Sequence, residues 1–352
     1  MKKNNIYPMI QAILAAALFG ACTPISKLLL GYIEPIPMAA FLYLGSGVGM
    51  LLFGIARRMK HNFTEPEAKI GKEDIKWLIG AIMAGGVIAP IVLMFSLRNT
   101  PASTASLLLN FESVATTLIA VIAFKEAIGR RIWLAVASIT TASILLSWNL
   151  NGEWGFSIGA LGVILACSLW GIDNNFTRNI SAKDPIITVI IKGIGAGTFS
   201  LLLGFITRSN FPGIKIALGA MLLGCFGYGL SIELFIFAMR NLGSSRTSAF
   251  FGIAPFVGAL LSFLLFRELP NTLFYISLPI MIMGAVLILG EKHGHVHLHS
   301  SVEHEHRHSH NDEHHTHTHI NGLQIEHTHL HIHECIGHSH KHTPDIHHRH
   351  VH

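Results

Sequence analysis

Apolar residues dominate the first 292 positions of this chain, in runs about 20 residues long that short polar or charged segments separate. An α-helix needs a run of that length to cross the hydrocarbon core of a bilayer. The pattern therefore predicts an all-α membrane protein with ten transmembrane helices. The ten predicted spans are 8–30, 37–56, 75–97, 102–124, 131–149, 157–178, 185–207, 216–239, 246–266 and 271–290.

Positively charged residues fall mainly on one side of these predicted helices. If the N-terminus lies inside, the N-terminal segment and the even-numbered loops hold 15 Lys and Arg, whereas the odd-numbered loops hold four. Cytoplasmic loops of membrane proteins carry an excess of these residues, so we expect both termini in the cytoplasm of a multi-pass cell (inner) membrane protein. In a membrane protein the placement of Lys and Arg matters more than the net charge of +5, so no nucleic-acid partner is expected.

Three short motifs each occur twice, in the same order along the chain. The pairs are LFGACTPISK (18–27) with LWGIDNNFTR (169–178), LRNTPASTAS (97–106) with MRNLGSSRTS (239–248), and FKE (124–126) with FRE (266–268). The last two pairs share one offset, 142 residues. This register predicts two halves of five helices, 1–150 and 151–292. Because five is odd, the second half enters the membrane from the opposite side, as in the inverted repeats of many secondary transporters.

These residues resemble the EamA repeat of the drug/metabolite transporter superfamily. The resemblance rests on the Leu-Phe/Trp-Gly turn of the first and sixth spans, Pro255, and the glutamates that close each repeat, Glu126 and Glu268. It covers about residues 6–290. It implies a ten-helix permease with two inverted five-helix repeats, alternating access, and usually export of metabolites or amino acids. The resemblance is compatible with either a monomer or a homodimer.

Five ionisable residues lie well inside the predicted spans: Lys27, Glu112, Asp173, Lys192 and Glu233. A charge in hydrocarbon costs several kcal/mol unless it is paired or faces water, so each is a candidate for solute or proton binding. The alternative is internal charge pairing that holds helices together, for example Lys192 with a carboxylate. Lys27 stands three residues from a helix end, where its side chain can also extend to the interface.

Polar residues in three spans complete the predicted transport site. In the fourth span Ser103, Ser106, Asn110, Ser113 and Thr117 share one helical face, which lines a cavity or packs closely against a neighbouring helix. In the sixth span Asp173 and Asn174 form the favoured binding pair. The eighth span is glycine-rich before Glu233, which either loosens the helix or permits tight packing. The predicted transport residues are Glu112, Asn110, Ser106, Ser113, Asp173, Asn174, Lys192 and Glu233.

The last 60 residues have a different composition. They contain 23 of the 24 histidines and few aliphatic residues, so we expect them to be disordered when no ligand is bound. His-x-His recurs along this tail (293–352), and imidazole suits Zn, Ni, Co and Cu. The predicted metal ligands are His293, His295, His297, His299, His304, His306, His308, His310, His314, His315, His317, His319, His327, His329, His331, His333 and Cys335.

Three functional hypotheses fit this pattern. In the first, the bundle exports a small solute and the cytoplasmic tail binds divalent transition metal. In the second, the bundle itself transports Zn, Ni or Co that the tail collects. In the third, the protein is a membrane metal sensor that transports nothing. No phosphate-binding glycine loop, nucleophile elbow or metalloprotease motif is found, so we expect neither an enzyme nor a required cofactor.

Overall fold

The structure is a computed structural model that describes residues 6–60, 70–125, 128–148, 156–180, 183–242, 244–267 and 270–289, together with four strands in the tail. Its helices are α1 (Ile6–Leu29), α2 (Pro35–Lys60), α3 (Ile75–Ala81), α4 (Ala89–Arg98), α5 (Ala102–Leu108), α6 (Phe111–Phe124), α7 (Arg130–Ser147), α8 (Ile158–Arg178), α9 (Pro185–Ile206), α10 (Ile214–Gly224), α11 (Ser231–Leu242), α12 (Ser244–Phe251), α13 (Ala254–Phe266) and α14 (Thr272–Leu289).

Helical structure covers each of the ten predicted spans. Within the described residues, seven continuous helical segments are long and apolar enough to cross a membrane. The other three predicted spans correspond to α7, to α12 with α13, and to α14. Many large apolar side chains on the outer surface of the bundle are exposed, among them Ile122, Leu134 and Leu264. Such a surface suits contact with lipid chains. The multi-pass character is thus supported, while the count of ten crossings remains a prediction.

Two kinds of helix irregularity occur twice, at equivalent positions in the two halves. The third and eighth spans each contain a π-helical turn, Ile82–Ile88 and Cys225–Leu230, whose first residues are 143 positions apart (225 minus 82). The fourth span breaks between α5 and α6, and the ninth between α12 and α13. The helices that follow these breaks begin at Phe111 and Ala254, again 143 positions apart (254 minus 111).

The two halves cross at the contact between α2 and α9. A Cβ atom on Gly47 would lie 2.6 Å from the backbone nitrogen of Ile194, and one on Gly193 would lie 2.5 Å from the nitrogen of Gly47. Glycine is therefore needed at both positions, because any larger residue would force the backbones apart. Close contact through small residues is the usual way in which helices associate in membranes.

The first helix of each half also packs against the other half. Helix α1 packs on α11 and α13, whereas α8 packs on α4 and α6. At Gly20 an added Cβ would collide with the carbonyl of Ala254, and at Gly171 it would lie 2.9 Å from the backbone of Ala115. Gly20 and Gly171 are equivalent in the repeated Leu-Phe/Trp-Gly motif. The same motif thus makes the same kind of contact in both halves.

The tail contains four described strands, β1 (His293–Leu298), β2 (Val302–His308), β3 (His327–His333) and β4 (Gly337–His342). They form two antiparallel pairs, β1 with β4 and β2 with β3. Alternate histidines in these stretches have the period of two that a strand requires. Disorder of the tail in the absence of a ligand stays a prediction.

Candidate transport site

Asp173 and Lys192 form an ion pair inside the bundle, between α8 and α9. The Lys192 Nζ atom lies 2.6 Å from Oδ1 and 2.9 Å from Oδ2 of Asp173. Thr177, one turn along α8, donates to Asp173 Oδ1 at 2.9 Å and accepts from Lys192 at 3.2 Å. Asp173 is only 7% exposed. The alternative reading of internal charge pairing therefore holds for Lys192.

Asn174 follows Asp173 directly but contacts a different helix. Consecutive side chains on an α-helix differ in direction by about 100°. Asn174 Nδ2 donates to Glu112 Oε1 at 2.8 Å and to Thr116 Oγ1 at 3.1 Å, both on α6. Asn174 is exposed, whereas Asp173 is buried. The two residues predicted to form one binding pair therefore have different partners: Asp173 contacts Lys192, and Asn174 contacts Glu112.

The π-helical turn of the third span lies against this site. In a π-helical turn a carbonyl accepts from the N–H five residues later, which for Gly85 is position 90. Pro90 has no N–H, so the Gly85 carbonyl lacks this partner. The Gly85 carbonyl instead accepts from the Tyr43 hydroxyl at 2.7 Å and from Trp170 Nε1 at 2.9 Å. A Cβ on Gly85 would collide with the carboxylate of Asp173. Glycine here allows the backbone to approach the ion pair.

A row of aromatic rings extends from this turn into the other half of the bundle. Tyr43 stacks on Tyr228 with ring centroids 5.7 Å apart, and Tyr228 lies in the second π-helical turn. Phe19 meets Tyr228 edge-on at 5.8 Å and also contacts Phe251, at 5.3 Å. Tyr43 therefore connects the two π-helical turns, by its hydrogen bond to Gly85 in the first and its ring contact with Tyr228 in the second.

The predicted polar face of the fourth span is not continuous. Ser106 is buried against Gly258 of α13, which favours the close-packing alternative for this residue. Asn110 stands at the break between α5 and α6, where its amide donates to the Leu107 carbonyl at 3.0 Å. The Ser113 hydroxyl donates to the Asn110 carbonyl at 2.7 Å. In the described contacts, Asn110 and Ser113 hydrogen-bond to the backbone of their own span, and Ser106 packs against a neighbouring helix.

Glu233 and Lys27 stand on two other helices, α11 and α1. Glu233 is buried in α11, directly after the second π-helical turn. The glycines of that turn pack closely, since an added Cβ on Gly227 would collide with Cys22. The Lys27 ammonium donates to the Thr100 carbonyl in the loop before α5. The eighth span thus combines a widened turn with tight packing.

Four residues of the site are absent from the predicted set: Thr116, Thr177, Tyr43 and Trp170. Thr116 and Thr177 each stand four residues after a predicted carboxylate, Glu112 and Asp173. Residues at that spacing are neighbours on a helix surface, so the signal was available. The only sequence signal for Tyr43 and Trp170 is Pro90. Because proline has no N–H, a carbonyl in the preceding turn needs a hydrogen-bond donor from elsewhere.

Among the residues whose structure is described, no three His, Cys, Asp or Glu side chains meet closely enough to hold a metal ion. Ten of the predicted tail ligands stand on strands, three on β1, three on β2 and four on β3. The others lie outside the described residues: His299, His310, His314, His315, His317, His319 and Cys335.

The chemistry of the site is that of a carboxylate and an ion pair on neighbouring helices. The Asp173 charge is compensated by Lys192, whereas the described contacts of Glu112 are with neutral partners, chiefly Asn174. A carboxylate in this setting can accept a proton or bind a cationic or hydrogen-bond-donating group of a solute. Asn174, which donates to this carboxylate, is itself exposed.

Comparison with known proteins identifies the family. Residues 6–148 and 157–290 each match the model of the EamA-like transporter family. An uncharacterised transporter of Methanothermobacter thermautotrophicus is 25% identical over 302 residues, which cover 81% of this chain and 87% of that protein. The uncharacterised inner membrane transporter YedA of Escherichia coli strain K12 is 20% identical over 308 residues, covering 83% and 94%.

Two further similarities are narrower. A probable 4-amino-4-deoxy-L-arabinose-phosphoundecaprenol flippase subunit, ArnE of Yersinia pestis, is 31% identical over 86 residues, only 24% of this chain and 75% of that protein. One crystal structure matches 80% of this chain and 95% of its own, with a TM-score of 0.56 and 17% identity, which concerns the fold alone. Since the family model matches nearly all of the membrane part, the chain belongs to the EamA-like transporter family.

Proposed function

We propose that this protein is a secondary transporter that exports a small polar solute by alternating access. The observation that carries the proposal is the contact of Asn174 with Glu112, beside the Asp173–Lys192 ion pair. Charged groups in the interior of a membrane bundle are costly unless they are paired or face water, so such groups are candidates for binding or proton transfer. Here they are contributed by α6, α8 and α9, which belong to both halves of the chain.

The proposed architecture is an inverted repeat of two five-helix units, 1–150 and 151–292, with ten crossings. The equivalent π-helical turns and helix breaks support it, because both recur 143 positions apart. Interrupted helices near the repeat interface are the usual binding elements of transporters with this symmetry. Alternating access would then rock one unit against the other about the contact of Gly47 with Gly193.

The solute we propose carries a positively charged or hydrogen-bond-donating group. Such a group would bind the Glu112 carboxylate, displacing or sharing the amide of Asn174. Asp173 is less available for this role because the Lys192 ammonium occupies both of its oxygens at 2.6 and 2.9 Å. A proton on Glu112 would compete with the solute, and this competition would couple export to proton entry.

Transport of a divalent metal is the second candidate, and the histidine-rich tail favours it. The tail would collect Zn, Ni or Co at the mouth of the bundle. Within the membrane, the Lys192 ammonium beside Asp173 repels a divalent cation, so the described site suits an organic solute better. Under the first candidate, the tail binds Zn, Ni, Co or Cu in the cytoplasm of an inner-membrane protein and regulates export.

The test is flux through proteoliposomes that contain the full chain, a chain ended at residue 292, or Glu112→Gln. Labelled amino acids and other small polar metabolites form one panel, and Zn, Ni and Co form the second. We expect saturable flux of an organic solute in the first two preparations and its loss in Glu112→Gln. Saturable metal flux that Glu112→Gln abolishes would instead establish the second candidate. Flux of neither class would overturn both.

A further inference from the structure

Three basic residues stand in the left-handed backbone conformation, each at the C-terminal end of a helix. They are Lys125 after α6, Arg208 after α9 and Arg267 after α13, with φ angles of 55°, 53° and 53°. Among the residues that the structure describes, no other non-glycine residue has a positive φ angle. We call these three residues the basic caps.

The basic caps occupy positions at which glycine is the usual residue. Helices often end at a residue in the left-handed conformation, and glycine is favoured there because a Cβ atom crowds the following carbonyl. After α9 the pattern is complete, since the Arg208 N–H donates to the Phe205 carbonyl at 3.1 Å and the Ser209 N–H donates to the Gly204 carbonyl at 2.9 Å. Backbone strain that glycine would relieve is retained three times, which points to a use for the side chains.

The basic caps stand where the apolar outer surface of the bundle ends. All three residues are exposed, and exposed apolar residues come shortly before each of them. These apolar residues are Ile122 and Phe124 before Lys125, Phe205 and Ile206 before Arg208, and Leu264 and Leu265 before Arg267. A cation that follows a lipid-facing turn reaches the level of the lipid headgroups.

Interactions inside the protein do not account for these side chains. In the part of the chain that the structure describes, their charged groups have no ion-pair or hydrogen-bond partner. A cation near the C-terminus of a helix also interacts favourably with the helix dipole. That effect needs no left-handed residue, because Lys or Arg one turn earlier would provide it in the ordinary helical conformation. A partner outside the protein explains the conformation as well as the charge.

We propose that the basic caps bind the phosphate groups of anionic phospholipids at the membrane surface. Lys and Arg donate charge-assisted hydrogen bonds to phosphate oxygens, and basic residues beside a membrane span attract anionic lipids. The exposed apolar turn before each cap would contact the acyl chains of the same lipid. A free phosphate ion makes only the first of these contacts, so the ligand is the lipid and not the anion alone.

Two of the basic caps are equivalent in the two halves of the chain. Lys125 and Arg267 belong to the repeated motifs FKE and FRE, 142 residues apart, and both have the left-handed conformation. In the proposed inverted repeat, equivalent helix ends lie at opposite membrane surfaces. This step rests on the proposed architecture and predicts lipid sites in both leaflets. Arg208 and Arg267 are also two of only four basic residues in the odd-numbered loops, a side on which Lys and Arg are otherwise rare.

The test compares two triple variants of the full chain that lose the same number of positive charges. The glycine variant combines Lys125→Gly, Arg208→Gly and Arg267→Gly. The control variant combines Arg130→Gln, Arg98→Gln and Lys215→Gln, three exposed residues within helices. Each variant loses one charge from the even-numbered loops and two from the odd-numbered loops. Unfolding temperatures are measured in neutral detergent, and again with phosphatidylglycerol, phosphatidylcholine or inorganic phosphate added.

The two variants should respond differently. In neutral detergent the glycine variant should unfold at a higher temperature than the unchanged protein, because three strained residues are relieved. Phosphatidylglycerol should raise the unfolding temperature of the unchanged protein and of the control variant equally, and that of the glycine variant by about half as much or less. A third variant that exchanges each cap for the other cation, with Lys125→Arg, Arg208→Lys and Arg267→Lys, should keep the full lipid effect.

The other outcomes overturn the proposal. An undiminished lipid effect in the glycine variant would exclude the caps as lipid sites, and an equal reduction in the control variant would assign the effect to net charge. Equal stabilisation by phosphatidylcholine or inorganic phosphate would exclude a site for anionic lipid. Lower stability of the glycine variant in neutral detergent would mean that the caps serve the helix dipole. None of these results bears on solute transport by the bundle, which the Glu112→Gln variant tests separately.

Discussion

The Lys192 ammonium lies 2.6 Å from Oδ1 of Asp173 and 2.9 Å from Oδ2, so that one cation on α9 contacts both oxygens of one carboxylate on α8. A second Lys–Asp pair, Lys183 with Asp74, is separated by 3.5 Å and stands at the helix ends. The two pairs use the same residue types in different surroundings. Because the side chains of the two pairs are similarly exposed, their comparison isolates the effect of the position inside the bundle and of the shorter contact.

Lys192→Met should destabilise the protein strongly, because it leaves the Asp173 carboxylate in the bundle without its cation. Removing one partner of a buried ion pair typically costs about 3–5 kcal/mol. Replacing both, with Asp173→Asn and Lys192→Met, should recover part of the loss, since no uncompensated charge then remains. Thermal unfolding of the purified variants in detergent measures both effects.

Lys183→Met is the matched control, and its effect should stay within about 1 kcal/mol because this pair stands at the helix ends and its two charged atoms are 3.5 Å apart. Equal losses for Lys192→Met and Lys183→Met would mean that the Asp173–Lys192 pair is no more important than a pair at the helix ends. A double variant less stable than Lys192→Met would contradict the charge-compensation argument.

Glu112→Gln should abolish transport while preserving the fold. The amide oxygen of glutamine can still accept from Asn174 Nδ2, so the hydrogen bond between α6 and α8 is retained. What is lost is the negative charge and the exchangeable proton. Initial transport rates at equal amounts of reconstituted protein measure this loss, and thermal unfolding checks the fold.

Ser113→Ala provides a control beside Glu112 on the same helix. Its hydroxyl donates to the Asn110 carbonyl and not to the Glu112 group, so transport should remain within about twofold of the unchanged protein. Undiminished transport by Glu112→Gln would remove Glu112 from the site. An equal loss in Ser113→Ala would point to helix geometry rather than to charge.

Gly47→Ala should lower stability by about 1–3 kcal/mol, the usual cost of adding a methyl group where there is no space. The added Cβ would lie 2.6 Å from the Ile194 nitrogen, and a backbone atom cannot move aside without separating α2 from α9.

Gly54→Ala on the same helix is the control for Gly47→Ala. Its added Cβ has nothing within 4 Å, so alanine should be neutral or stabilise the helix by up to about 1 kcal/mol. Thermal unfolding distinguishes the two, and equal effects would refute a close crossing.

Tyr43→Phe should cost about 0.5–1.5 kcal/mol, because the Gly85 carbonyl loses one of its two side-chain donors. Adding Trp170→Phe removes the second donor, and the combined loss should exceed the sum of the single losses, since a buried carbonyl is then left unsatisfied. Tyr32→Phe, at an exposed ring, is the control and should have no measurable effect. Thermal unfolding measures the loss of stability in each variant. If the loss in the double variant equals the sum of the single losses, Tyr43 and Trp170 do not share the Gly85 carbonyl as acceptor.

The positions of the helices were predictable because each span is a long apolar run that a few charges end. The family resemblance was likewise readable from the repeated motifs, and the match of 6–148 and 157–290 supports it. The interruptions were harder to predict. The break at Asn110 and the turn around Gly85 depend on contacts with other helices, which local sequence does not reveal.

The candidate site was predictable in its residue types but not in its pairings. Asp173, Lys192 and Glu112 stand out because charges are rare in membrane spans. Their partners depend on the packing of α8 between α6 and α9. As a result Asp173 contacts Lys192 on α9, whereas Asn174 contacts Glu112 on α6. In the tail, low aliphatic content predicts disorder, whereas the alternation of histidines has the period of a strand.

The Asp173–Lys192 pair also has an electrical consequence. A membrane potential does work of about 2.3 kcal/mol per 100 mV on each elementary charge that crosses the whole field. Two opposite charges held 2.6 Å apart move together as a neutral unit, so the field does almost no net work on them when the helices shift. The voltage dependence of transport should therefore report only the charge on the solute and the proton carried by Glu112.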